Sequence, residues 1–133
     1  MKKTYQEIAN FIGTAQAYQA DEKRTKETKF TYALRKVVKS CQKLWESYIE
    51  QREDIDVEHA ATDPKTHVIL RDEQGGGISY TKDGMRARQK ALRELFQQEV
   101  TVTSFGVATW PADLTDTERD AFEDFVPLLQ SVE

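Results

Sequence analysis

The acidic and imidazole side chains between Glu53 and His67 are the first candidates for chemistry. Glu53, Asp54, Asp56, Glu58, His59, Asp63 and His67 offer the oxygen and nitrogen donors that a divalent cation takes. Their spacing follows no metal motif: an EF-hand loop needs alternating Asp or Asn, a central glycine and a terminal glutamate, and none stands there. The stretch therefore reads as a solvated acidic loop, with a small metal-dependent enzyme using residues 53–67 as the lesser alternative. The run Gly75-Gly76-Gly77 could bring bare backbone N–H groups close to an anion, but it leads into Ile78-Ser79-Tyr80 rather than a Gly-Lys-Ser/Thr helix start, so it reads as a hairpin turn. Cys41 lies on an apolar helical seam, where desolvation opposes the thiolate a nucleophile needs. No serine nucleophile motif is present, so no catalytic residue, metal or cofactor is expected.

Binding is the better use of this composition. Lys36, Lys39 and Lys43, with Lys29, fall near one another on a predicted second helix, and Arg86 and Arg93 fall on the basic side of a third. Trp45 and Tyr48 add the large aromatic surface that anchors protein partners. These seven residues, Trp45, Tyr48, Lys36, Lys39, Lys43, Arg86 and Arg93, form the expected partner-binding set. A nucleic acid is not the expected partner. The net charge is −4, residues 97–133 carry eight acids against one arginine, and no helix-turn-helix or RNA-binding signature occurs. Residues 1–48 instead carry ten Lys/Arg against five acids, an asymmetry that favours docking of the acidic end near the basic helices or contact with two different partner surfaces.

These residues must be positioned by a modest core. The chain has 133 residues with 38% hydrophobic and 32% charged side chains, and two Trp, six Phe and five Tyr supply the bulk that a disordered chain lacks. One domain is expected, without a membrane span or signal peptide, and so in the cytoplasm. A single cysteine excludes an internal disulfide.

Thr4-Tyr5-Gln6-Glu7 has the form of a capping box opening a first helix, whose apolar face through residue 19 includes Tyr5, Ile8, Phe11, Ile12, Ala15 and Tyr18. Phe30, Leu34, Val37, Cys41, Leu44 and Tyr48 then recur every three or four residues, with Val38 and Trp45 widening the stripe, and predict a long helix over Lys26–Arg52. It pairs with helix one as an α-hairpin within residues 1–56; self-association through the same seam, giving a homodimer, is the alternative. Segments 67–71 and 78–80 predict a β-hairpin, Thr81–Gln98 a helix with Asp83 as candidate cap and Met85, Leu92, Leu95 and Phe96 as its buried stripe, and residues 100–105 a strand pairing with that hairpin, all within 65–107. Thr115-Asp116-Thr117-Glu118 is a second capping box, opening a last helix over 114–130 that Pro127 should kink or shorten. The fold class is predominantly helical α+β: a long α-hairpin, a small antiparallel β-sheet and a C-terminal helix.

Tyr32-Ala33-Leu34-Arg35-Lys36 in the long helix, Leu92-Arg93-Glu94-Leu95-Phe96-Gln97-Gln98-Glu99-Val100 from helix into strand, and Leu114-Thr115 before an acidic, Pro-containing helix resemble small bacteriophage and prophage proteins of unknown function. The resemblance covers about half of the chain and carries no catalytic residues. It implies a phage origin, and with it the host cytoplasm. The missing catalytic set, the segregated charge and the long seam with Trp45 and Tyr48 point to a non-enzymatic protein-interaction module that binds a host or phage protein, as an inhibitor or modulator of a host or defence protein. A phage assembly or tail-associated chaperone is the alternative.

Overall fold

Thr4 accepts a hydrogen bond on its hydroxyl from the Glu7 N–H (3.2 Å), and the Glu7 carboxylate accepts one from the Thr4 N–H (3.1 Å). This reciprocal cap starts α1 (Tyr5–Ala20) in the computed structural model, which describes residues 1–72 and 76–129. The further elements are β1 (Lys2–Thr4), α2 (Thr28–Glu58), α3 (Lys82–Phe96), β2 (Glu99–Thr101) and α4 (Asp116–Phe122). The fold is predominantly helical α+β, as expected, with one small antiparallel sheet. The chain divides into two compact units, Met1–Trp45 with Glu99–Glu133, and Glu46–Gln98.

In the first unit, α1 turns Tyr5, Ile8, Phe11, Ala15 and Tyr18 inward, and all five are buried. The α2 seam is buried at Phe30, Leu34, Val37, Val38 and Cys41 and half-buried at Leu44 and Trp45. Phe122 at the end of α4 meets three aromatic rings, with centroids 5.9 Å from Phe11, 6.1 Å from Tyr18 and 5.9 Å from Phe30. Phe125 stacks on Phe11 at 4.1 Å.

The sheet is not the one expected. β2 pairs with β1, in the register Lys2–Thr101, Lys3–Val100 and Thr4–Glu99, rather than with a hairpin. Main-chain bonds between Met1 and Val102 extend the pairing at both atoms (3.2 and 2.9 Å). A three-residue strand of sequence Lys-Lys-Thr has no apolar alternation by which it could be recognised.

The C-terminal helix is also shorter than the expected 114–130. It begins on its capping box at Thr115 and ends at Phe122, because Pro127 lacks the N–H needed to continue and biases Val126 away from helical angles. The chain then runs beside residues 105–107: Phe105 donates to the Phe125 carbonyl (3.1 Å), Val107 to Pro127 (2.9 Å), and Leu129 back to Val107 (2.7 Å). Residue 130 lies outside the described residues.

In the second unit, α2 continues to Glu58, so Glu53–Glu58 are helical and not a loop after Arg52. Ile55 and Asp56 are half-buried, and the Asp56 carboxylate accepts from Arg88 of α3 at 2.6 Å, which holds this last stretch of helix against a partner. The hairpin expected from 67–71 and 78–80 is reduced to a single antiparallel bridge, Arg71–Ile78, with a second bridge at Thr62–Ile69. No strand can start at His67. Its φ of 59° is left-handed, and its N–H closes the Pro64-Lys65-Thr66 turn on the Asp63 carbonyl (2.9 Å). Residues 73–75 of the expected turn lie outside the described residues.

Thr81, not Asp83, caps α3, accepting from the Gly84 N–H at 3.0 Å. A Cβ on Gly84 would stand 2.8 Å from the His59 carbonyl oxygen, so glycine permits that close approach. Of the expected α3 stripe only Leu95 is buried, and Met85, Leu92 and Phe96 are half-buried.

Candidate partner-binding surface

The seven residues expected to bind a partner fall into different environments. Tyr48 is 7% exposed, with its ring 5.9 Å from that of Phe96, and belongs to the core of the second unit. Trp45 is half-buried and lines a shallow depression with Ala9, Ile12, Gly13 and Gln16. Lys36, Lys39 and Lys43 are exposed on the α2 stretch of the first unit, and Arg86 and Arg93 are exposed on α3 in the second.

The acidic and histidine cluster is used by the fold. Asp56 pairs with Arg88, His59 Nδ1 lies 2.9 Å from the Ile55 carbonyl, and the Asp63 carboxylate accepts the N–H groups of Lys65 (2.8 Å) and Thr66 (3.1 Å). Those two backbone donors hold the Asp63 carboxyl below the usual carboxylate range. Among the described residues no group of three or more His, Cys, Asp or Glu is placed to hold a metal ion. Burial pushes the Cys41 thiol up to about 12.

The acidic end docks on the N-terminal half through two cations, neither of them on the helix-two lysine face. Arg24 donates to both carboxylate oxygens of Glu118 (2.8 and 2.5 Å) and to the Asp113 carbonyl (2.6 Å), while the Thr25 N–H donates to the Asp113 carboxylate (2.9 Å). Lys3 pairs with Asp124 at 2.5 Å and with Glu7 at 3.3 Å. The hydrogen bonds from Arg24 set the Glu118 carboxyl below its ordinary value, against the burial that pushes it up. These charges are already satisfied within the chain.

The surface with unmet demand is one that sequence reasoning missed. Tyr32 and Phe105 are 44% and 41% exposed, and their rings meet edge to face with centroids 5.7 Å apart. Tyr32 sits on α2 just off the buried seam, next to Ala33 and Leu34. Phe105 is placed by its own N–H on Phe125 and by Val107 on Pro127. Behind it, a Cβ on Gly106 would come within 2.4 Å of the Leu129 side chain, so glycine lets the C-terminal segment pass close.

A groove of about 340 Å³ lies on one side of Phe105, between it and Lys29 and Tyr32. A second, of about 260 Å³, lies on the other side, lined by Lys36, Ser40 and Thr103. Among the described residues no acid lines either groove. The Lys36 ammonium stands 5.3 Å from the Tyr32 ring centroid and the Arg35 guanidinium 5.9 Å, near the outer range of cation–π attraction. Neither Lys29 nor Lys36 forms an ion pair with a described carboxylate. The only sequence signal was an aromatic residue standing off each element's apolar pattern: Tyr32 beside the seam, Phe105 at the end of a β-prone run.

Compared with protein-family models, curated proteins and solved structures, the chain gives no match. Any functional reading therefore rests on this surface and its chemistry. No helix among the described residues is long and apolar enough to cross a membrane.

Proposed function

We propose that the chain is a non-enzymatic protein-interaction module of phage origin, which docks through the Tyr32–Phe105 face and modulates a host or defence protein in the host cytoplasm. The observation that carries this reading is the pair of exposed aromatic rings in mutual contact, rimmed by lysines that no described carboxylate pairs with. Leaving two aromatic side chains half in water forgoes hydrophobic stabilisation that burial would give, and aromatic residues beside basic ones are the composition of binding hot spots. Lys39 and Lys43, further along α2, extend the basic surface a partner would meet. A homodimer through the helix-two seam has no place in this reading, because Phe30, Leu34, Val37 and Cys41 are covered within one chain.

The test compares the tagged wild-type protein with a Tyr32→Ala/Phe105→Ala variant as bait in bacterial host lysate. One protein retained stoichiometrically by the wild type and released by the variant is the expected result. Retention by both, or by neither, would remove the face from the reading.

A further inference from the structure

We infer that the two grooves flanking Phe105 take an acidic peptide segment of the partner, with an apolar side chain seated against the Tyr32–Phe105 pair and a carboxylate on each side of it. This rests on the docking role proposed for the same face, and adds what the face recognises.

Charge complementarity fixes the class. Lys29 lines the first groove and Lys36 the second, with Tyr32 between them on the same helix and no acid among the described residues of either lining. Seven helical residues at a rise of about 1.5 Å put those two lysines about 10 Å apart along α2, two turns, on one face. An extended peptide rises about 3.3 Å per residue, so carboxylates three or four residues apart reach both ammonium groups while the residue between them lies over the aromatic pair. Arg35 and Lys39 add positive potential on the same stretch of helix, which favours the encounter of an acidic segment over a neutral one.

A single-stranded nucleic acid would present similar negative charge, but it binds by stacking bases on open aromatic faces. Here the rings meet at an interplanar angle of 76° and cations approach the Tyr32 ring, so the pair forms an apolar ridge between grooves rather than a flat platform. Asp116 and Asp120 of α4, and Glu123 just after it, are exposed in the same unit and would repel a long polyanion more than a short peptide.

The full chain is titrated, by fluorescence anisotropy, into three labelled probes. They are a decapeptide of Asp and Glu with a central Phe-Leu, the same peptide with every acid replaced by its amide, and a ten-nucleotide oligothymidine. Specific, saturable binding of the acidic peptide is expected, weakened at least tenfold by Phe105→Ala and by Lys29→Glu/Lys36→Glu, and weakened several-fold between about 50 and 300 mM salt as the Debye length shortens. Both variants alter exposed side chains, and a cooperative thermal transition will show that they fold. Equal binding of the amide peptide would overturn recognition of charge. Tighter binding of the oligothymidine would overturn the peptide class, and so would an absence of binding to any probe. If the acidic peptide fails while the lysate partner is still lost from Tyr32→Ala/Phe105→Ala, the inference falls and the docking role stands.

Discussion

The unit formed by Met1–Trp45 and Glu99–Glu133 closes around rings: Phe11, Tyr18, Phe30, Phe122 and Phe125 touch one another at centroid distances of 4.1–6.1 Å. In Glu46–Gln98, only Tyr48 and Leu95 are buried among the described apolar residues, while Ile49, Val57, Val68 and Leu70 are 42–61% exposed. The difference lies in what each stretch of sequence can oppose. The first brings the apolar faces of α1, α2 and α4 together, so each ring finds others. In the second, one end of α2, single-residue bridges and an α3 whose surface is mostly charged have little apolar area to offer. Burial dominates stabilisation, so the two units should differ in how tightly each is held.

The strongest way to break that contrast is Phe122→Ala. Removing a fully buried ring that touches Phe11, Tyr18 and Phe30 should cost about 3–5 kcal/mol, read from the urea midpoint. Phe105→Ala removes the same side chain from a half-exposed site and should cost only about 1 kcal/mol. Similar losses from both would mean that Phe105 is not the half-solvated residue on which the docking surface depends.

Leu95→Ala tests the weaker side. Its side chain is 6% exposed but has few buried neighbours in its unit, so a loss near the low end of the Leu→Ala range, about 2 kcal/mol, is expected. Hydrogen exchange should show protection falling along α3 while α1 amides hold theirs. Loss of protection at both, to the same extent, would show that the units open as one.

How much of this was legible follows the same division. Both capping boxes, Thr4 with Glu7 and Thr115 with Glu118, were readable because the motif is local and its partners stand three residues apart. The α2 seam from Phe30 to Tyr48 was readable because helical period is written along the chain. β1 was invisible, since its strand character comes from pairing with residues near position 100. The Tyr32–Phe105 pair and the Arg24–Glu118 clamp were invisible for the same reason: each joins residues distant in sequence whose types say nothing of their partner. The second unit misled in a different way, because β-prone residues at 67–71 predict a strand, while the left-handed His67 and the turn at Asp63 confine pairing to single bridges.

A smaller effect, confined to acid, sharpens the electrostatic side of the comparison. The Glu118 carboxyl is lowered by its hydrogen bonds from Arg24, so it contributes stability that is full above its unfolded-state value. That stability is lost as pH falls through the lower folded-state value, where the carboxylate protonates. Glu118→Gln should therefore lower stability near neutrality and flatten the acid limb of the pH profile. An acid limb as steep as that of the wild type would place the responsible carboxylate elsewhere, with Glu7 and Asp113, both also lowered, the next to test.

The smallest perturbation uses the thiol already present. Cys41 is fully buried and its thiol is pushed up to about 12 by desolvation, so at neutral pH a thiol reagent can reach it only when the first unit opens. Its labelling rate, divided by that of the unfolded chain, then gives the population of that opening. A thiol placed at Leu95→Cys in a Cys41→Ala background reports the second unit in the same way, from a side-chain position of comparable burial. Faster labelling at 95 than at 41 is expected, because fewer apolar contacts oppose the opening there. Equal or slower labelling at 95 would mean that the thin core around Tyr48 and Leu95 is held as firmly as the ring cluster, and that burial alone does not rank the two units.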